Sequence, residues 1–298
     1  MTISRVDLTE ANGYILEEQG STVIQDLIAN SAVERFARRE AMASRTKSVP
    51  RFVGDAPVVV AEGAEIPASN PTLDEIVLTA RKYAQLMHIS EEDVNDSLVD
   101  TLSVYKREWA SRFARKYDNA CLGVSGVADG DDGQPFLSVY SAINWTTNRI
   151  QTGGAMSYDD LNNALGIVED SSKFDAANTV WMAHPKMLKE IRGMVKGNSD
   201  LVLPDPLAGT PGSLFGYPLV VSYGAAVSTA ATDTPTGNPL LIVGNRQMLI
   251  NGVRGGVESV VSRDAEFARD GVVLKTRVRR AFAVADADAF AIVEKTGA

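Results

Sequence analysis

The chain has 298 residues, 45% of them hydrophobic and 22% charged, and its 38 Asp and Glu outnumber 29 Lys and Arg for a formal net charge of −9. That length and apolar content support one large domain or two modest ones with a real core, while the acidic balance argues against a surface built chiefly to neutralise phosphates. A single cysteine, Cys121, excludes a disulfide within the chain, and with only His88 and His184 beside it there are too few ligands for a Cys/His zinc site. The start, Met1-Thr2-Ile3-Ser4-Arg5-Val6-Asp7, lacks the basic and then apolar pattern of a signal peptide, and no apolar run approaches the roughly 20 residues that span a bilayer. A protein made in a cytoplasm, without membrane contact, is expected.

Residues 1–47 combine short apolar groups (Val23, Ile24, Leu27, Ile28) with the charged run Glu34-Arg35-Phe36-Ala37-Arg38-Arg39-Glu40. The pattern predicts a marginal helix followed by an arm that buries little alone. A frayed terminus is the simpler expectation, and a segment that orders on a neighbour is the other.

From Val49 to about Ile89 the texture is extended, with Val49-Pro50-Arg51-Phe52-Val53 and Pro57-Val58-Val59-Val60, and breakers at Ile66-Pro67 and Asn70-Pro71. A long alternation then runs from Asp74 to Leu86, with Ile76, Leu78, Ala80, Ala84 and Leu86 on one strand face and Glu75, Thr79, Arg81 and Gln85 on the other. This predicts a long hairpin arm. Strands of about 15 residues at about 3.3 Å each reach about 50 Å, and a two-stranded ribbon of that length needs a surface to lie on. Another subunit is the expected surface.

The strongest helix signal opens at Ser90-Glu91-Glu92-Asp93, where Ser90 can cap and the acids sit at the positive end of the dipole. Val94, Leu98, Leu102, Tyr105, Trp109, Phe113, Tyr117 and Cys121 then recur every three or four residues, with Lys106, Arg107, Arg112, Arg115 and Lys116 elsewhere and Gly123 as the stop. About 30 residues at 1.5 Å make a spine of about 45 Å.

A Gly/Asp-rich link from Gly126 to Pro135 marks a boundary, and a less regular stretch follows through Trp145. Residues 157–250 alternate helix and strand: Ser157 caps a helix through Leu161, Leu165 and Val168; Thr179-Val180-Trp181-Met182 is a strand; and Pro185 starts a helix with Met187, Leu188, Ile191 and Val195. Strands at 217–222 and 240–243 flank a small, polar stretch from Tyr223 to Pro239, expected to be a mobile surface loop. Three last strands, 257–262, 271–278 and 281–293, are expected to pair as a meander.

Catalytic patterns are weak. No Gly-rich nucleotide loop or serine elbow is present, and Asp129-Gly130-Asp131-Asp132-Gly133 departs from a calcium loop at Gly133 and at Tyr140, where the closing glutamate would fall, so a solvated turn is expected. His184 follows a strand and precedes a helix-starting proline, a place where active-site residues occur, but it lacks an identifiable nucleophile or carboxylate partner. Trp109, Phe113 and Tyr117 have core spacing rather than that of a base-stacking platform. The dense basic cluster Lys275, Arg277, Arg279, Arg280 fits a solvated or inter-subunit strand face at least as well as DNA contact.

Taken in order, several short signatures resemble the HK97-fold family of major capsid proteins from about Val49 to near the C-terminus. Val58-Val59-Val60-Ala61-Glu62-Gly63-Ala64-Glu65-Ile66-Pro67 is similar to the far end of that family's extended loop, and His88-Ile89-Ser90-Glu91-Glu92-Asp93-Val94-Asn95-Asp96-Ser97 to the start of its spine helix. Asp118-Asn119-Ala120-Cys121-Leu122-Gly123 resembles the exit from the spine, with Gln134-Pro135 as the turn beyond it. Thr179 to Pro185 and Leu214 to Ser222 resemble elements of the axial domain. Phe136 and Leu137 stand where the family often has glycine, the spacer from Gly126 to Gly133 is long, and no lysine matches a loop-tip cross-linking position, Lys47 and Lys82 lying at the loop's base.

The resemblance implies an α+β, HK97-like capsid fold: an N-terminal arm (1–47), an extended loop (48–88), a peripheral domain on the spine helix (89–156 and 251–298) and an axial α/β domain (157–250). It implies a structural protein without cofactor, catalytic or metal site, forming hexamers and pentamers of an icosahedral shell around double-stranded DNA in a virion assembled in the bacterial cytoplasm. Implied partners are other copies of the chain, a portal protein, a separate scaffolding protein and a decoration protein, with DNA contacted non-specifically. Expected inter-subunit contacts are Phe52, Val59, Glu62, Glu65, Ile66, Arg81, Arg277 and Arg279, and the expected spine core is Leu98, Leu102, Trp109 and Phe113. The alternatives are an encapsulin-type compartment of the same fold, or an α/β enzyme using His184.

Overall fold

The computed structural model describes residues 31–53, 58–63, 65, 72–92, 101–126, 128–194, 212–266 and 269–297. One sheet orders β1 (Arg38–Ala41), β10 (Leu249–Val253), β12 (Gly271–Val284) and β11 (Glu258–Glu266), with β4 (Arg81–Ser90) also paired to β12. A second orders β5 (Arg149–Thr152), β13 (Phe290–Lys295), β9 (Leu240–Asn245), β6 (Thr179–Ala183), β8 (Tyr217–Val221) and β7 (Ser213–Leu214). The strands β2 (Thr46–Val53) and β3 (Thr72–Thr79) form a separate ribbon. The helices are α1 (Ala32–Phe36), α2 (Thr101–Leu122), α3 (Val139–Ala142), α4 (Tyr158–Glu169) and α5 (Pro185–Gly193).

The six-stranded sheet is a wall between two cores. All five residues of β6 are buried, as a strand covered on both faces requires. Trp181 and Ala183 join Leu161, Leu165 and Val168 of α4 and Met187 and Ile191 of α5. Val180 and Met182 point the other way, into the core that holds Tyr117, Cys121 and Leu122 of α2. β9 and β13 alternate likewise. α4 opens with a capping box between Ser157 and Asp160, and α5 opens with Pro185 behind the cap residue His184.

The spine α2 is described over 22 residues, about 33 Å at 1.5 Å per residue. Trp109, Phe113 and Tyr117 stack at four-residue intervals, with centroids 5.3 and 5.6 Å apart, and Tyr83 of β4 meets Phe113 edge-on at 4.9 Å. Trp109 and Phe113 are thus core, as their spacing predicts, while Leu102 is half-buried. Ser90 ends β4, and Leu98 with the rest of 93–100 lies outside the described residues.

Four expectations are corrected. The long strand from Asp74 to Leu86 breaks at Ala80, whose N–H donates to the Arg45 carbonyl at 2.8 Å. β3 pairs with β2 from Thr79↔Thr46 to Thr72↔Val53, whereas β4 pairs with β12 from Arg81↔Arg280 to Ser90↔Gly271. Leu78 and Ala80 are buried, but beyond the break Tyr83, Met87 and Ile89 turn inward and Leu86 is 59% exposed. With a side-chain period of two, one unpaired residue exchanges the faces, so Ala84 and Leu86 leave the face of Ile76 and Leu78. The described part of the ribbon has eight residues in each strand, about 26 Å.

The C-terminal segment is not a three-strand meander. β12 runs on to Val284, and β13 leaves for the second sheet, antiparallel to β9 and parallel to β5. The stretch 223–239 is fastened rather than mobile, and the described part of the arm is not frayed: α1 is largely buried and β1 adds in parallel to β10. The physical reasons for both lie at the end of the spine.

Candidate assembly surfaces

Asp118 is buried near the C-terminal end of α2, where the dipole disfavours a negative charge. Four donors converge on it. Oδ1 accepts from the Ser31 hydroxyl at 2.5 Å and the Val33 N–H at 3.2 Å, and Oδ2 from the Ala32 N–H at 2.8 Å and the Ser222 hydroxyl at 2.6 Å. The carboxylate therefore holds the start of α1 and the end of β8 together. Burial raises the pKa of Asp118, and the hydrogen bonds oppose that rise.

Asn119 does the same for the following loop. Its Nδ2 donates to the carbonyls of Gly224 and Ala226 at 3.0 and 2.9 Å, and its Oδ1 accepts from the Ser228 hydroxyl and the Thr232 N–H at 2.7 and 3.2 Å. A Cβ at Gly123 would collide with the Ala226 carbonyl, so glycine permits the close approach. The arm is tied a second time by an ion pair between Glu34 of α1 and Arg280 of β12, both buried. Arg280 also donates to the carbonyls of Gly255 at 3.2 Å and Arg279 at 3.0 Å. The basic cluster therefore splits, with Arg280 structural and inward. Sequence pattern does not reveal the roles of Ser31, Glu34, Asn119 and Ser222; its one signal is an Asp-Asn pair interrupting the apolar stripe of a long helix.

The outer face of the first sheet carries the rest of the cluster. Lys275, Arg277 and Arg279 alternate along β12 opposite Leu86, Ala84 and Lys82 of β4. Arg277 pairs with Glu258 of β11, and both are substantially exposed. On the same face, Ala281 and Ala283 of β12 with Ile250 of β10 pack under the ribbon base, against Met42, Val49, Ile76 and Leu78. At the far end of the ribbon Val58 and Val59 are 65% and 103% exposed, and Glu62 and Glu65 are exposed beside them. Phe52 pairs with Leu73 in the ribbon, and Ile66 lies outside the described residues. Arg81 is engaged within the chain: its guanidinium occupies the space beside Gly130, φ +84°, where a Cβ would collide. The Asp129–Gly133 turn thus packs on Arg81, and its Asp132 accepts two hydrogen bonds from Lys116, at 2.7 and 2.8 Å.

His184 caps α5. Its Nδ1 accepts the Lys186 N–H at 3.2 Å, which requires an unprotonated nitrogen, and burial, with a smaller contribution from the Lys186 charge, lowers its pKa to about 4. Among the described residues no group of three or more His, Cys, Asp or Glu is placed to hold a metal, and no helix is long and apolar enough to cross a membrane.

The phage capsid family model matches residues 12–295. The chain belongs to the phage capsid family. Its members are structural proteins, not enzymes. Among curated proteins it is similar to the probable major capsid protein gp17 of Mycobacterium phage D29, 25% identical over 179 residues, which is 58% of this chain and 53% of that protein. The chain thus spans about half the length of that relative. A solved structure from Mycobacterium phage Bobi superposes with a TM-score of 0.72 at 15% identity, over 100% of this chain and 96% of that one. The capsid of an empty GTA particle computed with C5 symmetry does so at 0.65 and 17% identity, over 89% and 90%. The fold is accordingly the HK97-like capsid fold expected from the ordered motifs.

Proposed function

We propose that this chain is the major shell subunit of a tailed bacterial virus, closing into pentamers and hexamers around double-stranded DNA. The supporting observation is a complementary pair of surfaces on one subunit. The ribbon ends in Val58, Val59, Glu62 and Glu65, apolar and acidic and exposed, while Lys275 and Arg279, with Arg277 paired to Glu258, make a basic face on β12. Two exposed valines gain by burial against a neighbour, and a donor patch meeting a different acceptor patch is the heterologous contact from which rings close. Phe52, Val59, Glu62, Glu65 and Ile66 are the donor side; Arg277 and Arg279 are the acceptor side.

In this reading 1–47 is the arm and 48–80 the loop. Residues 81–148 and 249–289 form the peripheral domain, and 149–248 with β13 the axial domain. β4 moves to the peripheral sheet and β13 to the axial one because of their pairing. Portal, scaffolding and decoration proteins complete the particle in the host cytoplasm.

Deletion of residues 54–70 tests the contact: a folded subunit that makes no shells is expected, and full-sized particles would refute it. Glu62→Arg/Glu65→Arg should likewise block assembly, and adding Arg277→Glu/Arg279→Glu should restore part of it.

A further inference from the structure

We infer that adjacent copies of the chain meet head to tail, with the basic face of α5 on one copy entering an acidic cleft at the end of α4 on the next. This inference rests on the shell reading above and names a contact separate from the ribbon.

The two helices cover the same side of the six-stranded sheet, since Leu161, Leu165 and Val168 of α4 and Met187 and Ile191 of α5 share one core with Trp181 and Ala183 of β6. They lie towards opposite edges of it. α4 packs on β13, β5 and β9, and β5 is an edge strand. α5 joins β6 to the parallel strand β8 near the other end of the strand order, and a parallel crossover lies over the strands it joins. A contact between α5 of one copy and α4 of another therefore uses two different patches on opposite edges, the heterologous geometry that closes rings.

The charges of the two edges are complementary. Lys186, Lys189 and Arg192 recur every three residues on the exposed face of α5. Among the described residues no ion pair within the subunit engages them, and the acid of the same helix, Glu190, is paired with Lys295. At the β5 edge, Asp170, Asp286 and Asp288, with Asn148 and Lys173, line a cleft of about 320 Å³. Asp170 caps the C-terminus of α4, where unpaired carbonyls and the helix dipole favour a cation, and Glu169 is exposed beside it. The cations already present leave the cleft acidic: Lys173 is exposed, and Arg51 approaches Asp286 only to 3.9 Å while holding Asp74 at 2.5 Å. Like charges gathered at each edge repel one another until a face of opposite charge covers them, which steers copies into the head-to-tail order and against like-to-like pairing.

Zero-length carbodiimide cross-linking of particles assembled from mixed unlabelled and isotope-labelled chains, followed by mass spectrometry, tests this, because a link between copies carries both isotopes. Links from Lys186 or Lys189 to the acids of 169–170 or 286–288 on a second copy are expected. Lys116 and Asp132, 2.7 Å apart within the subunit, are the internal control. Links at the control without those between copies would overturn the inference while leaving the shell intact. Lys189→Glu/Arg192→Glu is expected to lower the particle yield about tenfold, and adding Asp170→Lys/Asp288→Lys to restore about a third of it or more. No recovery in a quadruple variant that still folds counts against the inference, and if that variant does not fold the cross-links decide. Failure of the unaltered chain to form particles would overturn the shell reading itself.

Discussion

The hydroxyl of Ser31 donates to the Asp118 carboxylate at 2.5 Å, joining the cap of a short arm helix to the end of the spine across 87 positions of sequence. The Ser222 hydroxyl reaches the same carboxylate from the axial side. With all four donors aimed at one acid, Asp118→Ala should destabilise the subunit by about 2–4 kcal/mol, because each donor is left buried and unpaired. Urea denaturation of the unassembled chain measures this. Limited proteolysis of the variant should cut first beside α1.

Glu34 and Arg280 are both buried, so removing Arg280 leaves Glu34 with the longer, half-exposed pair to Arg39 at 3.4 Å. Arg280→Met alone should cost about 3–5 kcal/mol, and the double variant Glu34→Gln/Arg280→Met should recover more than half of that, since replacing a buried pair is far cheaper than breaking it. A double-mutant cycle by denaturation gives the coupling directly.

Two glycines make opposite forecasts. At Gly123 an added Cβ would meet the backbone of Ala226, whereas at Gly166 in α4 it would meet nothing within 4 Å. Gly123→Ala should lower stability by about 1–3 kcal/mol and loosen the 223–239 loop to hydrogen exchange. Gly166→Ala should be neutral or stabilising by up to about 1 kcal/mol. Thermal melts of the two side by side decide the matter.

His184 gives the pH dependence. Its folded pKa of about 4 lies below the ordinary 6.5, so the unfolded chain binds the proton more tightly; the associated stability is complete above pH 6.5 and is lost as pH falls towards 4, up to about 3 kcal/mol. Asp118 has the opposite sign. Its folded pKa is raised, so its contribution is greatest below about pH 3.8 and is lost as pH rises through the folded value. His184→Asn keeps a capping acceptor for α5 and should flatten the stability profile between pH 4 and 6.5, measured by denaturant midpoints.

The elements carried by local chemistry were legible in the sequence. Ser157, Pro185, and the stripe through Trp109, Phe113 and Tyr117 announced their helices, and the continuous apolar runs at Thr179 and Leu240 announced strands. The motif from Asp118 to Gly123 was visible as a pattern, but its purpose was not, because its partners lie at 31–33 and 222–232. Pairing decided the rest. Nothing local at Ala80 distinguishes one long strand from two strands in different sheets, since alternation survives a one-residue break apart from its change of face. Likewise Phe290 to Lys295 has the texture of a meander strand, and only β9 and β5, which receive it, settle where it goes. The charged face of β12 could be seen, yet Arg280 differs from Arg279 only in parity, and parity places it beside Glu34.

The central claim is that this subunit is built to close on copies of itself. Negative-stain electron microscopy of the purified full-length chain tests that most directly. Uniform closed shells tens of nanometres across, lost on deletion of 54–70, are the predicted result; a well-folded protein that stays monomeric at every concentration and salt tried would contradict it.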